Sequence, residues 1–100
     1  MNHYSVLDVT PTNTDWVEEY VAVSGKIAAK HGGKYLARTA NHEQIEGDNQ
    51  PAALRIILEW PSKAAAENFM KDPEYLPHLE ARTKGSVSHH YLIEKKDDLA

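Results

Sequence analysis

Arg55 to His78 reads R-I-I-L-E-W-P-S-K-A-A-A-E-N-F-M-K-D-P-E-Y-L-P-H. Ala53 to Trp60 alternates as a strand, with Leu54, Ile56, Leu58 and Trp60 on one face and Arg55, Ile57 and Glu59 on the other. Pro61 stops it. Ser62 is placed to cap a helix over Ser62–Lys71, in which Ala65, Ala66, Phe69 and Met70 form a buried stripe. Asp72-Pro73 ends that helix, because a residue before proline avoids helical backbone. Glu74-Tyr75 then reads as a turn. A short helix follows with Pro77 in its first turn and runs to about Lys84, ending at Gly85.

Working outward from this stretch, His3 to Val9 reads as a first strand and Trp16 to Lys30 as a first helix. In that helix Val17, Tyr20, Val21, Ser24, Ile27 and Ala28 share a face. Asn13 is a candidate cap with Asp15 beside it. Gly25 inside the helix implies close packing against a sheet, and the helix ends at His31-Gly32-Gly33, where glycine supplies a left-handed cap. Lys34 to Ala40 reads as a second strand, with His42 to Gly47 as its continuation after a bend. Gly47 to Pro51 is a loop by composition. Ser86 to Glu94 is the last strand and Lys95 to Ala100 a polar tail.

The order β-α-β-β-α-β, with the second helical segment split, is the α+β ferredoxin-like arrangement: a four-stranded antiparallel sheet with its helices on one face. One hundred residues suit one domain, ordered over about 3–94. The other sheet face, carrying Ile57 between Arg55 and Glu59, is left bare, and that favours covering by a second copy, hence a homodimer.

Composition narrows the function classes. At 41% apolar and 26% charged residues the chain is an ordinary globular one. It contains no cysteine, which removes disulfides, thiol nucleophiles and thiolate metal sites. A net charge of −4 with scattered Lys and Arg argues against a nucleic-acid partner. No apolar run suits a membrane span and no signal peptide opens the chain, so a cytoplasmic location is expected.

Gly32-Gly33-Lys34-Tyr35-Leu36-Ala37-Arg38, Glu46-Gly47-Asp48, Glu59-Trp60-Pro61-Ser62, and Asp72-Pro73-Glu74-Tyr75 followed by Leu79 and Arg82 together resemble the family of the small domain of unknown function numbered 1330. That family belongs to the dimeric α/β barrel superfamily, and the resemblance runs from about Tyr4 to Glu94. It implies a ferredoxin-like protomer and a dimer whose two sheets close around a shared interior. It implies no particular reaction. The wider superfamily includes cofactor-free monooxygenases, muconolactone isomerase-like enzymes, haem-degrading enzymes and ligand-sensing domains, and fold alone does not choose among them. The chain departs from the family pattern at Pro77 and at Thr39-Ala40-Asn41.

Candidate chemistry rests on few residues. Arg55 and Glu59 point the same way on their strand, ~13 Å apart. They either bracket a cavity, Arg55 binding an anion and Glu59 acting as a base raised by burial, or pair with neighbouring strands or a second subunit. His89 and His90 face opposite sides, and the sequence leaves open which of them meets the bare face; either is a second acid/base candidate. Arg38, Tyr75 and His78 are further substrate-binding candidates. Tyr75 reads more readily as packing for its turn, Arg38 equally well as a surface ion pair, and Arg82 as a structural arginine outside the sheet paired with a glutamate. No metal motif, phosphate loop or cofactor signature is present.

The reading favoured by the sequence is a homodimer with a small-molecule cavity between sheet and helices. If it is an enzyme, the resemblance implies cofactor-free proton transfer, isomerisation or monooxygenase-like chemistry, on a small anionic organic molecule. The alternative is a non-catalytic ligand-binding or stress-related dimer.

Overall fold

The computed structural model describes residues 1–100. The elements run β1 (His3–Pro11), α1 (Val17–Lys30), β2 (Lys34–Thr39), β3 (Leu54–Trp60), α2 (Lys63–Lys71), α3 (Leu76–Lys84) and β4 (Ser86–Glu94). The four strands form one sheet in the order β2-β3-β1-β4, with every neighbouring pair antiparallel. This is the ferredoxin-like α+β arrangement.

The stops that define the central stretch work as its residues dictate. The Ser62 side chain accepts a hydrogen bond from the Ala65 amide at 3.0 Å, capping α2. Asp72 takes extended backbone (φ −61°, ψ 123°) before Pro73 and breaks the helix. Its carbonyl then accepts the amides of Tyr75 and Leu76, so the break is itself hydrogen-bonded. At the end of α1, Gly32 has φ of 79° and turns the chain into β2. Gly33 lies against the Trp60 ring, where an added Cβ would stand 2.5 Å from the ring edge.

Two local expectations are corrected. Asn13 does not cap α1; its Oδ1 accepts the Asp15 amide at 3.2 Å in a turn of its own, and Trp16 stands at the N-cap position with no side-chain cap. His42 to Gly47 does not continue β2. Thr39 Oγ1 accepts the Asn41 amide at 2.9 Å and turns the chain out of the sheet. The segment to Ala53 is then an exposed loop folded around Gln44, whose amide donates to the carbonyls of Glu46 and Asp48 and accepts the Gln50 amide.

The core lies between the sheet and its helices. Leu7 and Val9 from β1, Ile56, Leu58 and Trp60 from β3, Ile27 and Ala28 from α1, and Ala66 and Phe69 from α2 are buried together with Tyr75. The alternation in β3 falls as its sequence predicts, with Ile56 at 9% exposure and its neighbour Ile57 at 39%. Phe69 joins the aromatic side chains, with ring centroids 5.0 Å from Trp60 and 4.0 Å from Tyr75.

Candidate functional site

A partly open cavity of about 70 Å³ remains between the sheet and the helices, with the exposed side chains of Val21 and Arg38 at its rim. Most of its wall is apolar, and its polar groups come from several elements. Ser5 stands on β1, Tyr20 on α1, His90 on β4 and Arg82 on α3, with Tyr75 just before that helix. Tyr35 and Arg38 of β2 line it on the side of α1, where Arg38 is exposed and its guanidinium lies 4.1 Å from the centre of the Tyr35 ring.

The polar groups are bonded in two chains. Trp60 Nε1 donates to Ser5 Oγ at 2.8 Å, and Ser5 Oγ lies 2.8 Å from His90 Nε2. Indole can only donate, so the Ser5 hydroxyl proton remains free to bond to His90. The Tyr20 and Tyr75 hydroxyls meet at 2.6 Å. Burial, reinforced by the neighbouring phenol, pushes Tyr20 far above its ordinary pKa. Burial also raises Tyr75, against the opposing pull of the Arg82 charge. Both phenols are therefore neutral at neutral pH. Burial, helped by the Arg82 charge, lowers the pKa of His90, so this imidazole is neutral at pH 7, with its Nε2 engaged by the Ser5 hydroxyl.

Arg82 is the unusual group. It is 4% exposed, and the ion pairs of the molecule all involve other residues. One guanidinium nitrogen donates to Ser88 Oγ at 3.2 Å, and Nε is buried with no partner. Buried charges are ordinarily paired, because leaving water costs several kcal/mol per ion. The expected pairing with a glutamate is thus absent.

The seven candidates from the sequence fall in three places. Arg38, Tyr75 and His90 come together around the cavity. Arg55, Glu59 and His89 lie on the opposite, open face of the sheet, so Arg55 and Glu59 do not bracket this cavity. There Arg55 donates to the Gln50 carbonyl at 2.6 Å, and His89 Nδ1 lies 2.7 Å from Asp8 Oδ1. Glu59 accepts from Lys95 at 2.9 Å and from Asn2 at 3.2 Å, and these bonds hold its carboxyl below the usual range. That is opposite to the shift a general base at neutral pH needs. His78 sits in the first turn of α3, outside the cavity wall.

Tyr20, Ser5 and Arg82 were not singled out by sequence for this site. A signal for Arg82 exists: it follows Tyr75 and Leu79 at steps of four and three, the spacing of one helical face. No cluster of three or more His, Cys, Asp or Glu side chains is poised to hold a metal, and no helix is long and apolar enough to cross a membrane.

Known proteins share this architecture. A protein of unknown function from Rhodopseudomonas palustris superposes with a TM-score of 0.80 at 18% identity, covering 96% of this chain and 83% of its own. SnoaB, a cofactor-independent oxygenase from Streptomyces nogalater, superposes in a mutant form with a TM-score of 0.63 at 20% identity, covering 98% and 96%. Rv0793 from Mycobacterium tuberculosis gives 0.54 at 10% identity, covering 98% and 99%. No curated protein matches the chain. The model of the domain of unknown function DUF1330 matches residues 2–96. With nearly the whole sequence spanned by that model and the strand order of the fold in place, the chain belongs to the DUF1330 family.

Proposed function

We propose that the cavity binds a small organic anion and that His90 exchanges a proton with it, without a cofactor. The observation that carries this reading is Arg82, a buried cation with no carboxylate partner and an unbonded Nε. An anion in the cavity would supply the missing charge, and the planar guanidinium suits a carboxylate or enolate. His90, neutral and tied to Ser5, takes the base role, while the Tyr20–Tyr75 hydroxyl pair offers donors to a developing negative charge. The likeness of fold to a cofactor-independent oxygenase is compatible with such chemistry. Thermal unfolding in the presence of acetate, benzoate and phenol tests it. A ligand at a hundred times its Kd stabilises by about 2.7 kcal/mol, a shift that Arg82→Met should abolish and Arg55→Ala should preserve. Equal shifts in the two variants would sink the assignment.

A non-catalytic binding role is favoured by one specific feature. In the Trp60–Ser5–His90 chain each group is bonded to another, as in a polar core that only needs to be satisfied. Binding without turnover, and without any pH dependence set by His90, would select this second reading.

The protein is proposed to work as a homodimer through the open face. Register places Ala37, Ile57, Val6 and Tyr91 in one row across all four strands. More polar rows flank it: Lys34, Glu59, Tyr4 and Ile93 on one side, and Thr39, Arg55, Asp8 and His89 on the other. An apolar stripe between polar rims is the anatomy of an interface. Sedimentation at micromolar concentration should give a dimer, and Ile57→Lys a monomer.

A further inference from the structure

The cavity of about 70 Å³ is smaller than the space of about 150 Å³ that admits a benzene ring. A ring-bearing ligand therefore needs a wall that moves. Two open grooves lie outside the cavity beside β4, one of about 610 Å³ and one of about 260 Å³. Met70 and His90 are the two residues that line the cavity and both grooves, and Arg82 lines the cavity and the larger one. These three side chains form the partition. His90 is held by Ser5 and Arg82 by Ser88. Met70, half-buried near the end of α2, is an unbranched thioether with three rotatable bonds and no polar tether.

Resting on the reading of the cavity as an anion site, we propose that Met70 is its movable wall and sets ligand size: rotation of this side chain joins the cavity to the grooves and admits a single-ring carboxylate whose charged end meets Arg82. The remaining wall suits the ring, since Trp60, Phe69 and Tyr75 already pack as tilted aromatic pairs around the cavity. Arg82 lines both the cavity and the larger groove, so the carboxylate meets it once Met70 has turned aside.

Calorimetric titration of the full chain with acetate, benzoate and 2-naphthoate tests the proposal, using Met70→Ala and Met70→Phe as opposite changes at a half-buried position. Benzoate should bind the wild type. Met70→Ala should tighten 2-naphthoate by at least about tenfold, and Met70→Phe should weaken benzoate by about tenfold with acetate unchanged, the range over which pocket volume discriminates. If benzoate and 2-naphthoate bind all three proteins alike, the opening lies elsewhere, as at the rim formed by Val21 and Arg38, and the role of Met70 is overturned while the anion site stands. If no acid binds the wild type and Arg82→Met changes nothing, the anion site fails and the Met70 proposal with it.

Discussion

The two faces of β3 carry polar groups under opposite rules. On the open face, Glu59 is bonded to Lys95 and Asn2, Arg55 to the Gln50 carbonyl, and His89 of the neighbouring β4 lies against Asp8 of β1. On the helix side one of the polar groups, Arg82, is a buried charge without a countercharge. Surface ion pairs are worth ~0–1 kcal/mol each, so the well-partnered face contributes little to stability. The unpartnered arginine is costly, and a costly group retained inside a small core is the better indicator of a ligand. The density of charges on the open face is therefore a misleading guide to where the chemistry sits.

Two adjacent isoleucines offer the largest effect by which to break this contrast. Ile56 packs among Leu7, Leu58 and the α1 core and lines the cavity. Truncation to alanine should cost about 2–5 kcal/mol. Ile57 points the other way and is exposed, so Ile57→Ala should cost under ~1 kcal/mol at concentrations where the protein is monomeric. Urea unfolding at several protein concentrations measures both. A large loss for Ile57→Ala that grows with protein concentration would mean that the open face is an interface that holds the fold together. Comparable losses at every concentration would remove the distinction between the faces.

A pH series probes the same contrast with a smaller effect. The native pKa of His90 is lowered, first by burial and then by the Arg82 charge. As the pH falls below histidine's ordinary value of about 6.5, the unfolded chain takes up a proton that native His90 resists. Stability must then decline with falling pH until the lowered value is reached. Asp72 acts in a separate window. Bonds from His31, then Lys30, then the Glu74 amide hold its carboxyl low, so its contribution is present above about 4 and lost below. Between pH 7 and 5 the decline should therefore be smaller in His90→Gln than in the wild type, measured as the urea midpoint. Identical slopes in the two proteins would show that the His90 environment is not the low-dielectric one described.

The fold was legible in the sequence because its signals are local. Pro61-Ser62, Asp72-Pro73 and Gly32 each act within a few residues, and the alternation of Leu54 to Trp60 belongs to one strand. His42 to Gly47 misled as a continuation of β2, whereas the loop at Gly47 to Pro51 was legible; the side chain of Gln44 supplies the bonds that a ladder would have supplied. The site was legible only in part because it is assembled from β1, β2, α1, α3 and β4. The faces of His89 and His90 depend on the register Asp8↔His89 and Leu7↔His90, which no single strand contains. Arg82 looked like a charge paired outside the sheet because an arginine on an amphipathic helix is nearly always exposed, and the face it shares with Tyr75 and Leu79 becomes meaningful only once Tyr20 is seen opposite.

The smallest effect sharpens the account of packing beside the cavity. Gly25 in α1 looked like a position reserved for close approach to the sheet. Yet a Cβ built there would meet only Tyr35 Cε2, at 4.0 Å, an ordinary contact. Gly33 offers the counterexample, with the Trp60 ring 2.5 Å from any added Cβ. Gly25→Ala should therefore stabilise the protein by about 0.5–1 kcal/mol through helix propensity, whereas Gly33→Ala should destabilise it by about 1–3 kcal/mol through overpacking. Because Tyr35 lines the cavity next to Arg38, Gly25→Ala carries a second readout. If α1 must move toward β2 when a ligand enters, the added methyl will weaken anion binding even as it raises the melting temperature. Unchanged binding would show that α1 keeps its distance from β2 when the ligand enters.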